Sequence, residues 1–247
     1  MSVDVHWSPA AGEGPAQTVR VATWNAQLSL LGTQAAIAEL DCDIVALQEC
    51  AESDVEQFPE ARFKGPAKKG LAAVALNGWQ LADAPDDPDY SNMILVQARD
   101  AAGRHVCDLA AVWVLTGTPL TYHEQFTKIL EVLANRETSV PVVIAGDLNA
   151  SAQGPNITGH AGNVALAKRN GLVSLYHEAN AIEHGREADM TLRWIGPGRE
   201  EFGYHCDFIF ASIALANATE SAVVGDWADW IEPGRSDHAP VIADIRY

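Results

Sequence analysis

Short apolar runs, each abutting a carboxylate, amide or imidazole, constrain this chain more than any other feature. Residues 19–24 alternate and lead into Asn25, and residues 44–47 lead into Gln48 and Glu49. Pro141 opens the run 142–145, which ends in Gly146-Asp147-Leu148-Asn149. The run 206–211 carries Asp207 near its start, and Ser236-Asp237-His238 stands just ahead of the run 240–245. Runs of about 4–8 apolar residues have the length of strands rather than helices. Strand ends are where loops bring distant side chains together, so this pattern points to a layered α/β protein with one polar cluster.

The remaining segments fit that architecture. Thr33 is placed to cap a short Ala-rich helix reaching Leu40. Residues 70–76, 92–97 and 106–115 read as strands, with Gly103 turning the chain before the third. Phe126, Ile129, Leu130 and Leu133 share one helical face. A helix around 164–168 is expected to stop near Gly171, followed by a strand at 172–175. The expected fold is two facing, mostly antiparallel or mixed sheets with helices outside, as one domain over 19–247. Residues 1–18, rich in Ala, Gly and Pro between 8 and 17, read as a loose N-terminal arm.

Composition narrows the function. Lys+Arg number 16 against 33 Asp+Glu, a net charge of -17. Such a chain repels long duplex DNA unless local cations intervene, and it recruits divalent ions where carboxylates gather. Cys42, Cys50, Cys107 and Cys206 form no CxxC pair and read as buried thiols. No apolar stretch has the length of a membrane span, and the N-terminus lacks a basic flank ahead of an apolar segment, so a cytoplasmic location is expected.

Taken singly, each polar residue is ordinary: an Asn after a strand is usually a turn, and an Asp-His pair is usually surface. Together they supply oxygen ligands for a hard cation, a base for water and donors for a phosphate. The stretches VATWNAQ (21–27), DIVALQE (43–49), VVIAGDLNA (142–150), YHCDFIFAS (204–212) and SDHAPVIADI (236–245) occur in one order along nearly the whole chain. In these motifs the chain resembles the endonuclease/exonuclease/phosphatase (DNase I-like) superfamily.

The resemblance implies a four-layer α/β/β/α sandwich and a Mg2+- or Mn2+-dependent hydrolase of phosphate mono- or diesters. It implies that Glu49 binds the metal, helped by Asn25 and Asp237. Asp147 would orient or deprotonate the attacking water, and Asn149 would hold a phosphate oxygen. His238 would contact the scissile phosphate, with Asp207 bonded to its other ring nitrogen, fixing the tautomer and raising its pKa. Many relatives carry a histidine where this chain has Trp113. With that imidazole missing, one metal and a single Asp–His pair are favoured over two metals. Trp113, Tyr122, His160 and His205 are candidates to line the substrate, and Tyr176, His177, Thr191 and Arg193 lie in the same connecting segments. The substrate is a small molecule or a nucleic acid, and no protein partner is evident. The alternatives are a DNA or RNA nuclease of the same fold, and a binding module with impaired chemistry.

Overall fold

A side-chain period of two runs through the strands and decides which residues meet. The computed structural model describes residues 17–27, 33–115, 117–136, 139–153 and 157–247. Its first half comprises β1 (Thr18–Asn25), α1 (Thr33–Glu39), β2 (Ile44–Cys50), α2 (Glu52–Val55), β3 (Ala61–Lys64), β4 (Gly70–Ala75), β5 (Gln80–Asp83), β6 (Met93–Arg99), β7 (His105–Trp113) and α3 (Tyr122–Ala134). Then come β8 (Val142–Asp147), α4 (Ile157–Arg169), β9 (Leu172–Ser174), α5 (Leu175–Asn180), β10 (Leu192–Ile195) and β11 (Glu201–Tyr204). The chain closes with β12 (Asp207–Ser212), α6 (Ile213–Ala216), β13 (Thr219–Val224), α7 (Trp227–Trp230) and β14 (Val241–Arg246).

Two six-stranded sheets result, ordered β13-β14-β1-β2-β4-β3 and β5-β6-β7-β8-β12-β9, beside a two-stranded ribbon of β10 and β11. β1–β2 and β7–β8 are parallel, and the other neighbours in the two sheets run antiparallel, as in the mixed arrangement expected. Alternation sends Val21, Ile44, Ala73, Val143, Ile209 and Ala243 into the space between the sheets. The opposite face of the first sheet packs Trp24, Leu47 and Val74 against Ile37, Leu40 and Val55. The opposite face of the second packs Val112, Ile144 and Phe210 against Phe126, Ile129 and Leu130. The order of layers is therefore α/β/β/α.

The helix α3 illustrates how local signals and packing agree. Thr121 and Glu124 close a capping box at its start. Its buried Phe126, Ile129, Leu130 and Leu133 lie at helical spacing, and each contributes about 1.5–3 kcal/mol by leaving water.

The structure departs from the sequence reading in several places. Thr33 is the first residue of α1, and its hydroxyl donates to Asp54 at 3.2 Å. The strand expected over 172–175 ends at Ser174, and Leu175 begins α5. Residues 1–16 of the expected arm lie outside the described residues, while Gln17 and Thr18 already pair with Tyr247 and Arg246. The edge strands β3, β5 and β13 and the ribbon escape the period-two signal, since most of their residues are exposed or only partly buried. Among the described residues, no helix is long and apolar enough to cross a membrane.

Candidate active site

The same alternation carries polar side chains to one end of the sandwich. Asn25 follows Val19 and Val21, Asp147 follows Val143 and Ala145, and Asp207 precedes Ile209 and Ala211, all on the inter-sheet faces. Register then sets neighbours. Asp147 lies opposite Asp207 in the antiparallel β8–β12 pair and opposite Trp113 in the parallel β7–β8 pair. Asn25 reaches across from the first sheet and donates its amide to Asp147 Oδ2 at 3.0 Å.

Glu49 arrives by a different route. Plain alternation would turn it away from Gln48, whose amide pairs with Thr23 on the inter-sheet side. The β2–β4 register shifts between Gln48 and Cys50, and Glu49 adopts a φ of 55°. A bulge with a left-handed non-glycine residue costs of order 1–3 kcal/mol and marks a place where a side chain is re-aimed. Here Glu49 Oε1 accepts from Asn25 at 3.4 Å, and Oε2 pairs with Lys69 at 2.7 Å.

His238 is held by one ring nitrogen and by its backbone. Its Nδ1 lies 2.8 Å from Asp207 Oδ2. Ser236 Oγ accepts from His238 N and donates to Asn25 O, and Trp24 Nε1 donates to His238 O. Thr191 Oγ1 accepts from the backbone N–H of Cys206 and of Asp207, fixing the start of β12. The other ring nitrogen of His238 is 3.8 Å from Asp237 Oδ1.

Electrostatics follow from this crowding. Burial, and then the charge of Asp207, push Asp147 up to about 7. Burial alone would lower His238, but the Asp207 carboxylate overcomes it and the imidazole is pushed up to about 10. His238 is thus a cation at neutral pH. Burial raises Asp237 as well. The buried Oδ1 atoms of Asp207 and Asp237 have no hydrogen-bond partner among the described residues.

All the residues expected to bind metal or carry catalysis come together here: Asn25, Glu49, Asp147, Asn149, Asp207, Asp237 and His238. Tyr122 stays at the rim, where burial and the Asp147 charge raise its phenol. Trp113 is inside, with its Nε1 buried and unpartnered. His160 and His205 are elsewhere, buried in a ring cluster with Tyr176, His177, His184 and Phe208. His205 immediately precedes Cys206 and β12, so the alternation of that strand does not carry it to the site. Sequence reasoning missed Gln27, which exchanges two hydrogen bonds with Asp237, and Lys69 on Glu49. Gln27 stood in view at the end of the 21–27 stretch. Lys69 had no signal, because only the turn into β4 delivers it.

The endonuclease/exonuclease/phosphatase family profile matches residues 22–238. No curated protein sequence matches the chain. Among solved structures, a 3'-5' exonuclease from Neisseria meningitidis superposes with a TM-score of 0.70 at 20% identity, covering 92% of this chain and 100% of that one. An AP endonuclease from Archaeoglobus fulgidus gives 0.66 at 19% identity over 91% and 98%. A 3' phosphatase from Neisseria bound to product DNA hairpin gives 0.64 at 18% over 93% and 100%. At these identities the likeness speaks for the fold.

Proposed function

The chain belongs to the endonuclease/exonuclease/phosphatase family, and from that premise we propose that it is a Mg2+- or Mn2+-dependent phosphoesterase hydrolysing phosphate mono- or diesters with water. The observation that carries the reading is the Asp207–His238 couple, closed at 2.8 Å, lying beside the buried Asp147.

Glu49 and Asp237, with side chains 18% and 34% exposed, are the accessible carboxylates, and with the Asn25 amide they would hold a hard cation. Their chemistry fits one: Asp237 Oδ1 accepts no hydrogen bond among the described residues, and Glu49 already takes the positive charge of Lys69. One metal suits this set better than two, since Asp207 is engaged with His238, and Asp147 with Asn25 and Asn149. When bound, the ion supplies positive charge to the phosphate oxygens and acidifies the attacking water.

Asp147, held near neutrality, takes the water proton, because a base works best with a pKa near the working pH. Asn149 serves it: its N–H donates to Asp147 Oδ1 at 2.7 Å and its amide to Oδ2 at 3.2 Å. That amide also donates to Val114 O at 2.8 Å, so both amide hydrogens are committed, and Asn149 aims Asp147 rather than gripping a phosphate oxygen. The His238 imidazolium faces the phosphate and offsets charge that develops there. Trp113 offers an N–H donor but no proton to transfer.

A nucleic-acid substrate is the second reading, favoured by one feature. Arg193 N donates to Asp237 O at 2.8 Å, which seats the β10–β11 ribbon at the site, and the ribbon exposes Trp194 and Phe202. Exposed rings beside a phosphate site suit stacking on an unpaired base. The buried free thiols suit a reducing compartment such as the cytoplasm. A metal-supplemented panel tests the reading: plasmid DNA, single-stranded oligonucleotides, 3'-phosphorylated hairpins, inositol phosphates and phospholipid headgroups. Turnover of at least one class by wild type, abolished in Glu49→Gln, is expected. Equal turnover by both would sink the assignment.

A further inference from the structure

We propose that His177, His184 and Glu187 form a second metal site, for a borderline divalent cation of the zinc class. One ligand atom from each lies within 4.8 Å of the others. Two imidazoles and a carboxylate are a zinc-type ligand set, whereas magnesium wants oxygen alone.

His177 and Glu187 are held in place by their neighbours. His177 Nε2 stands 3.0 Å from Glu187 Oε1, and its Nδ1 stands 2.8 Å from Ser174 Oγ. Gly185 N donates to both Glu187 oxygens at 2.9 Å, and Gln153 donates to Oε2 at 3.0 Å. Outer partners of this kind orient metal ligands.

The second line of support is unpartnered buried nitrogen. His184 Nδ1 has no hydrogen-bond partner among the described residues, nor has either nitrogen of His160, nor His205 Nε2. His160 and His205 are 1% and 0% exposed. His205 Nδ1 faces the carbonyl oxygen of Asp189 at 2.8 Å, and a carbonyl only accepts. The proton therefore sits on Nδ1, and Nε2 presents a bare lone pair. A buried nitrogen left bare is costly unless something satisfies it, and a cation held by His177 and Glu187 would satisfy His184.

His184 is the half-buried member, on the segment after α5 that has neither helix nor strand, so the ion enters on its side. Its ring now stacks on His177 with centroids 3.6 Å apart and planes 12° apart. Lone pairs of parallel rings do not converge, so His184 turns out of the stack on binding, and His177 carries its one proton on Nδ1, donated to Ser174 Oγ, which frees Nε2 for the metal. The same segment runs on to Thr191, which holds the backbone of Cys206 and Asp207. A metal here pins the approach to the Asp207–His238 couple without touching it.

The test uses the full chain, stripped of metal and kept in excess MgCl2 so that the carboxylate edge stays filled, then titrated calorimetrically with ZnCl2. His184→Phe keeps a stacking ring without a ligand nitrogen, and Glu187→Gln keeps the size of the side chain without the charge. Wild type is expected to bind one zinc, and each folded variant to bind it more weakly by more than the ~10–100-fold that loss of an outer partner costs. Circular dichroism identifies the folded variants, and either one suffices. Absence of zinc binding by wild type, or wild-type affinity in a folded variant, overturns the proposal.

Discussion

Replacing Asp207 by Asn keeps the size of the side chain and removes the charge that faces His238 across 2.8 Å. The imidazole is pushed from 6.5 up to about 10 even though it is buried. At about 1.4 kcal/mol per unit, that shift corresponds to ~5 kcal/mol in favour of the imidazolium. Because the folded value lies above the unfolded one, this stabilisation is complete below pH 6.5 and is lost as pH rises through about 10. In Asp207→Asn the burial cost remains while its main compensation is gone, so His238 turns neutral near pH 7. The readout is the His238 ring signal by NMR in metal-free protein, followed from about pH 6 to 9. Wild type should stay protonated across that window, and the variant should lose its proton within or below it. Turnover should fall by about 10²–10⁴-fold, the usual scale for a positioned proton donor or acceptor. A wild-type His238 titrating at its ordinary value would refute the reasoning.

Three further outcomes follow from packing and charge. A Cβ on Gly146 would run into the backbone carbonyl of Val112, so Gly146→Ala should lower stability by about 1–3 kcal/mol or more in urea unfolding. An unchanged midpoint would mean the β7–β8 pair gives way more easily than its register implies. Asp108 is fully buried and pairs with Arg136 at 2.7 Å and His105 at 2.8 Å. Asp108→Asn should cost about 3–5 kcal/mol by leaving Arg136 short of its buried counter-charge, measured the same way. His160 and His184 are neutral when folded, their values lowered to about 4 and about 3, whereas the unfolded chain takes up those protons near 6.5. Stability of the metal-free protein should therefore fall as pH drops below 6.5, and a flat denaturation midpoint from about pH 7 to 5 would contradict it.

The sequence made legible what depends on alternation. Runs such as 142–147 and 206–211 announce their strands, and the period of two fixes the face on which Asp147 and Asp207 meet. The edge strand β3 is half-buried throughout and gives no such pattern. Glu49 was found through resemblance. Its delivery by a bulge with φ of 55° is invisible in a pattern that would have turned it outward. Lys69 and Thr191 act through turns and backbone contacts between distant segments, which local composition does not encode. The histidine cluster draws on α4, α5, the segment between α5 and β10 and the turn before β12, so its members are far apart along the chain.

The most direct test of the proposed chemistry is the magnesium dependence of phosphodiester hydrolysis in EDTA-stripped protein, wild type beside Glu49→Gln. The expected result is a rate that is absent without metal, rises and saturates with added MgCl2 in wild type, and stays at background in the variant although it folds. Hydrolysis that persists in EDTA, or a magnesium response in Glu49→Gln equal to that of wild type, would contradict it.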